Sequence, residues 1–256
     1  MLEGKLQQSV ILKRMLEAVK DLCKEVNFDC DGEGIRLHAM DSSHVALVSM
    51  WLKECAFTDY KCDKHISLGI NVESLSKIFK LCGVNDTVQI KAEEGTDRCT
   101  FIFESPEEDK FADFDLKLID LDAESLTIPE QQYGCKVRMP SAEFQKICRD
   151  VTGFGDTAQI SANKEWVKFT VNGEIGAGNV TVKPNRSERA PVTIEAKEPT
   201  AATFGLRFLN LFTKATPLCD EVVVKISDEF PMVIEYQLLE ERYRHLRFYL
   251  APKIDD

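Results

Sequence analysis

Nowhere in the chain do about 18 apolar residues follow one another, and the opening M-L-E-G-K-L has no basic segment leading into an apolar run. A soluble, intracellular protein is expected. Nine cysteines are present, at Cys23, Cys30, Cys55, Cys62, Cys82, Cys99, Cys135, Cys148 and Cys219, an odd set with no C-x-x-C and no Cys/His cluster at zinc spacing. They read as reduced, mostly buried small apolar residues, and no metal is assigned. The phosphate-binding and nucleophile motifs G-x-x-x-x-G-K-[ST], G-x-G-x-x-G and G-x-S-x-G are missing, and G-E-I-G-A-G at Gly173 has its glycines in the wrong order. Asp41, Ser42, Ser43 and His44 hold the residue types of a triad, yet triad members converge from distant positions, so their adjacency reads as a turn. Asp120 and Asp122 have no His or Cys to complete a metal site. Neither catalysis nor a cofactor is expected. Positive charge is also short: 32 Lys and Arg against 43 Asp and Glu leave a formal net charge of −11, so any polyanion must be met by locally clustered cations.

What is present fits two domains of ordinary size. Asp115 to Gly134 changes the phase of its apolar residues and contains Pro129, so it reads as a connector, giving domains over 1–117 and 135–256 with 118–134 between them. After a strand at Leu2 to Leu6, Ser9 is placed as N-cap of a helix with Leu12, Met15, Leu16, Val19, Leu22 and Cys23 inside. Strands follow with Phe28 and Cys30, Ile35 and Leu37, then Val45 and Leu47. Asn71 caps a second helix with Val72, Leu75, Ile78, Phe79 and Cys82 inside. Strands through Val88, Ile90 and Ala92, through Cys99, Phe101 and Phe103, and over 110–117 close the first half.

The second half repeats the pattern. A strand over 135–139 leads through Pro140 and Ser141 into a helix burying Phe144, Ile147, Cys148 and Val151. Four strands follow, and a last helix over 206–215 puts Phe208, Leu211, Phe212 and Ala215 on one face, before three closing strands. L-S-K-I-F-K at Leu75 aligns with F-Q-K-I-C-R at Phe144, and D-T-V-Q-I-K-A at Asp86 with D-T-A-Q-I-S-A at Asp156. The pattern predicts an α+β fold whose helices cover one face of antiparallel sheets.

Outward positions of the four helices hold Lys13, Arg14, Lys20, Lys77, Lys80, Lys146, Arg149, Arg207 and Lys214, nine cations, while the same segments hold five acids. Basic helices on an acidic body suit phosphates and not base edges. Aromatics are not interleaved with the cations, which argues against stacking on single strands.

D-S-S-H-V at Asp41, L-I-D-L-D at Leu118, I-P-E-Q at Ile128, M-P-S-x-E-F at Met139, I-C-R-D at Ile147, T-K-A-T-P-L at Thr213 and L-A-P-K-I at Leu250 resemble the eukaryotic sliding-clamp family of proliferating cell nuclear antigen. The resemblance runs from Met1 to the C-terminus. It implies the DNA clamp fold, two similar domains each with two helices on antiparallel sheets, assembled as a homotrimeric nuclear ring. The nine cations would face an encircled duplex. A clamp loader would open the ring, and polymerases and repair proteins would be tethered to it, with neither a membrane nor a small-molecule substrate involved.

The resemblance further implies a client-binding groove at Met40, His44, Leu47, Leu126, Ile128, Tyr133, Pro231, Tyr249, Ala251, Pro252 and Ile254, filled by a short helical motif with aromatic anchors. Subunits would join by edge-strand pairing, with Lys110, Phe114 and Leu116 of one copy near Ile175, Val180 and Val182 of the next. Lys164 matches a lysine that the family modifies with ubiquitin or its relatives. Two alternatives stay open: a subunit of a heterotrimeric checkpoint clamp, and an acidic interaction scaffold with no DNA role.

Overall fold

In a computed structural model the described residues are 1–107, 109–122, 131–186, 191–238 and 243–253, without the side chains of Tyr243 and Arg244. Their elements follow a pattern used four times, a strand, a helix and then an antiparallel run. The first copy is β1 (Leu2–Leu6), α1 (Ser9–Val19), β2 (Glu25–Asp31), β3 (Gly34–Met40) and β4 (Ala46–Lys53), with an added β5 (Asp59–Cys62). Next come β6 (Ile66–Asn71), α2 (Val72–Phe79), β7 (Thr87–Ala92), β8 (Arg98–Glu104) and β9 (Phe111–Lys117). The third copy is β10 (Cys135–Pro140), α3 (Ser141–Thr152), β11 (Thr157–Ala162), β12 (Val167–Gly173) and β13 (Gly176–Val182), with an added β14 (Thr193–Ala196). The fourth is β15 (Thr200–Gly205), α4 (Leu206–Phe212), β16 (Glu221–Ile226), β17 (Met232–Tyr236) and β18 (Tyr243–Leu250), with a 3-10 turn at Thr213–Leu218 after α4.

The chain divides into two compact units, one of Met1–Ser42, Val48–Leu126 and Leu238–Leu246, the other of Ser43–Leu47, Thr127–Gln237 and Arg247–Asp256. The first holds a sheet ordered β5-β1-β7-β8-β9 and the run β4-β3-β2-β6. The second holds β13-β12-β11-β15 and β14-β10-β16-β17, with the end of β18 beside β17. Within each unit the strand before one helix pairs with the strand after the other: β1 with β7, β6 with β2, β10 with β16 and β15 with β11.

That exchange determines how each helix begins. Each ladder ends one bond inside the helix, where the N–H of the first helical residue meets the carbonyl just ahead of the partner strand: Ser9 to Asp86 at 3.0 Å, Val72 to Lys24 at 2.9 Å, Ser141 to Asp220 at 2.7 Å and Leu206 to Asp156 at 2.9 Å. A helix start carries N–H groups with no partner inside the helix, and here the neighbouring strand supplies one acceptor. Ser9 is therefore the first helical residue of α1 and not its N-cap; Gln8 holds that position and makes no side-chain cap. Only Asn71 caps in the expected way, its side chain accepting from the Ser74 N–H at 2.9 Å.

Every helix lays an apolar stripe on strands of its own unit. The stripes are Leu12, Met15, Leu16 and Val19; Val72, Leu75 and Phe79; Phe144, Ile147, Cys148 and Val151; and Leu206, Leu209 and Phe212. The last differs from the sequence expectation. Because β15 delivers the chain at Gly205, Leu206 enters first and the stripe continues at Leu209, leaving Phe208 and Leu211 half-buried. Phe79 meets Phe101 and Phe103 edge-on at 5.8 and 5.2 Å between ring centroids, while Phe212 stacks on Phe248 at 4.6 Å.

β4 has the opposite phase from that expected: Ala46, Val48, Met50 and Leu52 are buried, and Val45 and Leu47 point outward. The strands β5, β6 and β15 were not expected from the sequence; β6 and β15 run directly into the helices they precede. No cysteine is in a disulfide. Burial pushes the Cys23, Cys99, Cys148 and Cys219 thiols up to about 12, which keeps them protonated.

Two contacts anchor the periphery. The connector begins by docking on β6, the Ile119 N–H donating to the Gly69 carbonyl at 2.9 Å. A Cβ on Gly69 would lie 2.0 Å from the Ile119 carbonyl oxygen, so only glycine admits this approach. In the second unit Glu235, 4% exposed, accepts from Lys225 at 2.8 Å, from Arg247 at 3.0 Å and from Gln237 at 3.0 Å, tying β16, β17 and β18 together. Burial alone would raise this carboxyl. The hydrogen bonds of Lys225 and Gln237 with the charges of Arg247 and Lys225 outweigh it and bring the group down to about 2.

Gly69→Ala is expected to lower unfolding stability by about 1–3 kcal/mol, whereas Gly32→Ala, where an added Cβ meets nothing within 4 Å, should change it little; urea titration of both variants checks this. Because the Glu235 carboxyl is lowered from 4.5 to about 2 on folding, its contribution of about 3 kcal/mol is complete well above pH 4.5 and is lost as pH falls toward 2. The stability gap between wild type and Glu235→Gln, measured by urea titration at pH 7 and pH 3, should shrink by more than half at the lower pH.

Candidate functional site

Three surfaces emerge once the helices and edges are placed. On the first, Arg14, Lys77 and Lys80 are exposed and Lys13 and Lys20 half-buried, all away from the apolar stripes of α1 and α2, which pack together. Glu73 at the start of α2 is held below the usual carboxylate range by the hydrogen bond from Lys77, by the Lys77 charge, and by the charges of Lys80 and Lys20. Lys20 ends α1, so cations of both helices bear on one carboxylate and the two outward faces form one surface. Lys20 also pairs with Glu17, which raises its own pKa, and Lys13 Nζ donates to the Cys82 carbonyl beyond α2 at 3.4 Å.

In the second unit Lys146, Arg149, Arg207 and Lys214 are exposed on α3, α4 and the turn after it. Polar groups bridge these helices: Gln145 Nε2 donates to the Thr213 carbonyl at 3.0 Å and Asn210 Nδ2 to Thr152 Oγ1 at 2.7 Å. All nine cations expected from the sequence thus project outward. Glu17, Glu73 and Asp150 temper the surface by pairing with Lys20, Lys77 and Arg149. Exposed pairs of this kind contribute little stability, so the cations can exchange carboxylates for phosphates at small cost.

The second surface is a pair of strand edges. Among the described residues β9 is the outer strand of its sheet and β13 of its own, each with one side unpaired. α2 packs on β9 and α3 on β13, and exposed apolar side chains gather at both places. Leu81 and Val84 follow α2 with 60% and 69% exposure, Phe111 opens β9 at 65%, Phe154 follows α3 at 42%, and Ile175 precedes β13 at 74%. An open edge beside exposed hydrophobics is a template for pairing with another chain. Of the residues expected here, Lys110 and Ile175 are exposed and Phe114, Val180 and Val182 half-buried, but Leu116 is buried at 7% and faces the core. It shares the inward parity of β9 with Phe114, whose ring lies 6.1 Å from Phe103. Leu81, Val84, Phe111 and Phe154 were missed; Phe111 falls off the apolar phase of β9, and the other three lie in turns after helices, where periodicity gives no signal.

The third surface lies in the second unit. The Ala251 N–H donates to the Val45 carbonyl at 3.0 Å and the Lys253 N–H to the Thr203 carbonyl at 2.7 Å, which fixes the end of the described chain beside Ser43–Leu47. Tyr133 Oη donates to the Pro231 carbonyl at 3.1 Å. Leu47, Tyr133, Tyr249, Ala251 and Pro252 are half-buried, and His44, Val45 and Pro231 are exposed. Burial, with the Tyr249 charge adding to it, pushes the Tyr133 phenol up to about 12. His44 is the one described non-glycine residue with positive φ, at 57°, a tight turn that throws Val45 and Leu47 outward. Met40 ends β3 in the first unit, its carbonyl accepting from the Cys23 thiol at 3.3 Å. Leu126, Ile128 and Ile254 lie outside the described residues.

Lys164 sits exposed on the turn between β11 and β12, where the Asn163 side chain accepts from the Glu165 and Trp166 N–H groups at 2.8 and 3.0 Å. Among the described residues no group of three or more His, Cys, Asp and Glu could hold a metal ion, and no helix is long and apolar enough to cross a membrane.

Two units, each with two helices on antiparallel sheets, are the fold that the resemblance implied, and family models match both units in sequence. The N-terminal domain of proliferating cell nuclear antigen matches residues 1–126 and its C-terminal domain matches residues 127–253. With both domains matched in order, the chain belongs to the proliferating cell nuclear antigen family of DNA sliding clamps.

Proposed function

We propose that three copies of this chain close into a nuclear ring that encircles duplex DNA and tethers polymerases and repair proteins, with 1–117 and 135–256 as clamp domains and 118–134 as connector. The observation that carries this reading is the pair of open edges, β9 and β13, each beside exposed apolar side chains and a basic helix pair. Two different edges on one chain make a head-to-tail contact, and such contacts close into rings when the rotation allows. The nine helix cations would then face the duplex. Contacts to phosphate are sequence-independent and weaken with salt, so retention on DNA would be topological while the ring slides.

Clients would seat aromatic anchors on Tyr133, Pro231, Tyr249, Ala251 and Pro252, with His44, Leu47, Met40, Leu126, Ile128 and Ile254 completing the groove. Lys164, exposed on its turn, would accept ubiquitin or a related modifier.

Light scattering should give the mass of three chains for the wild type and of one chain for the double variant Phe111→Glu with Ile175→Glu; a monomeric wild type would remove the homotrimer. After loading by a clamp loader, circular duplex should retain the protein and linear duplex with free ends should lose it. Equal retention on both would sink the clamp reading. Lys20→Glu, Lys77→Glu and Arg149→Glu combined should abolish loading while leaving the trimer mass unchanged, an outcome that also separates the clamp from an acidic scaffold.

A further inference from the structure

Beside Tyr133, and away from the apolar patch it borders, the second unit carries a cleft of about 460 Å³ that the clamp reading does not use. It is lined chiefly by Gln131, Tyr133, Lys136, Glu195, Lys197 and Lys225. Three of these are cations and one is an acid, on a chain of net charge −11. The sheet register explains why they meet. Lys136 on β10 lies directly opposite Glu195 on β14 and directly opposite Lys225 on β16, so the three form a row across neighbouring strands on one face.

Directly opposed residues have Cβ atoms about 5 Å apart, and like charges there destabilise a sheet. Folding alone gives no reason for Lys136 to face Lys225. Glu235 is already held by Lys225, Arg247 and Gln237, and it makes no ion pair with Lys136. Glu195 is exposed, and among the described residues no carboxylate forms an ion pair with Lys136. The Lys197 ammonium reaches only the Gln132 side-chain oxygen, at 3.4 Å. Among the described residues the other acid nearby is Glu198, exposed beside Gly134. Among the described residues, two ammonium groups on one wall are thus left without carboxylates.

We propose that this cleft receives the carboxylates of an acidic stretch flanking the client segment seated on Tyr133 and Tyr249, so that the protein favours clients whose apolar anchors adjoin Asp or Glu. The inference rests on the client-groove reading, because Tyr133 belongs to both surfaces and makes them continuous. An extended acidic peptide leaving the apolar patch past Tyr133 meets Lys136 and Lys197 next, and its carboxylates relieve the repulsion between Lys136 and Lys225. Charge-assisted contacts at a partly exposed site supply discrimination and a faster encounter more than raw affinity.

The test uses the full-length protein and three fluorescein-labelled synthetic peptides that share one short helical segment with two adjacent aromatic residues. One is flanked on both sides by glutamines, one has glutamates on the N-terminal side and one has glutamates on the C-terminal side. Fluorescence anisotropy should show one glutamate-flanked peptide binding about fivefold more tightly than the glutamine-flanked peptide at about 50 mM salt, with the difference shrinking at about 300 mM. Lys136→Glu and Lys197→Glu, each tested alone, should abolish that preference while leaving affinity for the glutamine-flanked peptide unchanged. Lys136→Gln should reduce the preference without reversing it. If all three peptides bind wild type equally, or the preference survives Lys136→Glu, the inference is overturned and the client groove stands. If none of them binds, the groove reading falls and this inference with it.

Discussion

One hydrogen bond, made four times, sets the geometry on which the remaining features depend. At Ser9, Val72, Ser141 and Leu206 the strand ladder passes its last bond to the first N–H of a helix. A helix started in this way cannot rotate freely about its axis, because its first residue is held by the sheet. The apolar stripe must then fall on the strands of the same unit, and whatever occupies the other side is turned to solvent. The positions of Lys13, Lys77, Lys146 and Arg207 follow from that constraint, since each lies off a stripe whose phase is already decided. Three of the four helices manage without a side-chain cap for the same reason.

The same exchange of strands explains why the sheets end where they do. Pairing β1 with β7 and β10 with β16 uses the strands on both sides of each helix, and the last strands of the second and third runs, β9 and β13, lie at the margins. β9 and β13 arrive there with one side open and with the ends of α2 and α3 beside them. Exposed Leu81, Phe111, Phe154 and Ile175 then sit next to backbone groups that still have hydrogen bonds to make. In a monomer such an arrangement costs solubility; in a closed assembly it is the contact itself.

Charge is organised at two scales. Across the molecule acids prevail, while the outward faces of the helices and the row through Lys136 and Lys225 gather cations. Locally, several acids near the basic faces are already engaged: Glu17 with Lys20, Glu73 with Lys77, Asp150 with Arg149, and Glu235 with Lys225 and Arg247. Of these acids Glu235 is the buried one, and its pairing makes stability depend on acid pH, while the exposed pairs remain available to a polyanion.

Helical and strand periodicity read correctly wherever an element was long and one-sided: the stripe of α3 from Phe144 to Val151, the alternation of Val88, Ile90 and Ala92, and the outward placement of the nine cations. These depend on the local geometry of the chain, which residue order expresses directly. The amino-acid order also established the twofold repeat and the family, because short motifs survive as strings. Tertiary structure alone decided that Ser9 begins α1 under a carbonyl 77 residues away at Asp86, that Leu209 replaces Phe208 and Leu211 in the stripe of α4, that β4 turns Val45 and Leu47 outward, and that Leu116 is core. It alone set Lys136 against Lys225 and placed Phe111 on an open edge. Each of these outcomes depends on which distant strand pairs with which, and in what register. A shift of one residue reverses every side chain of a strand, so no local pattern could have specified them.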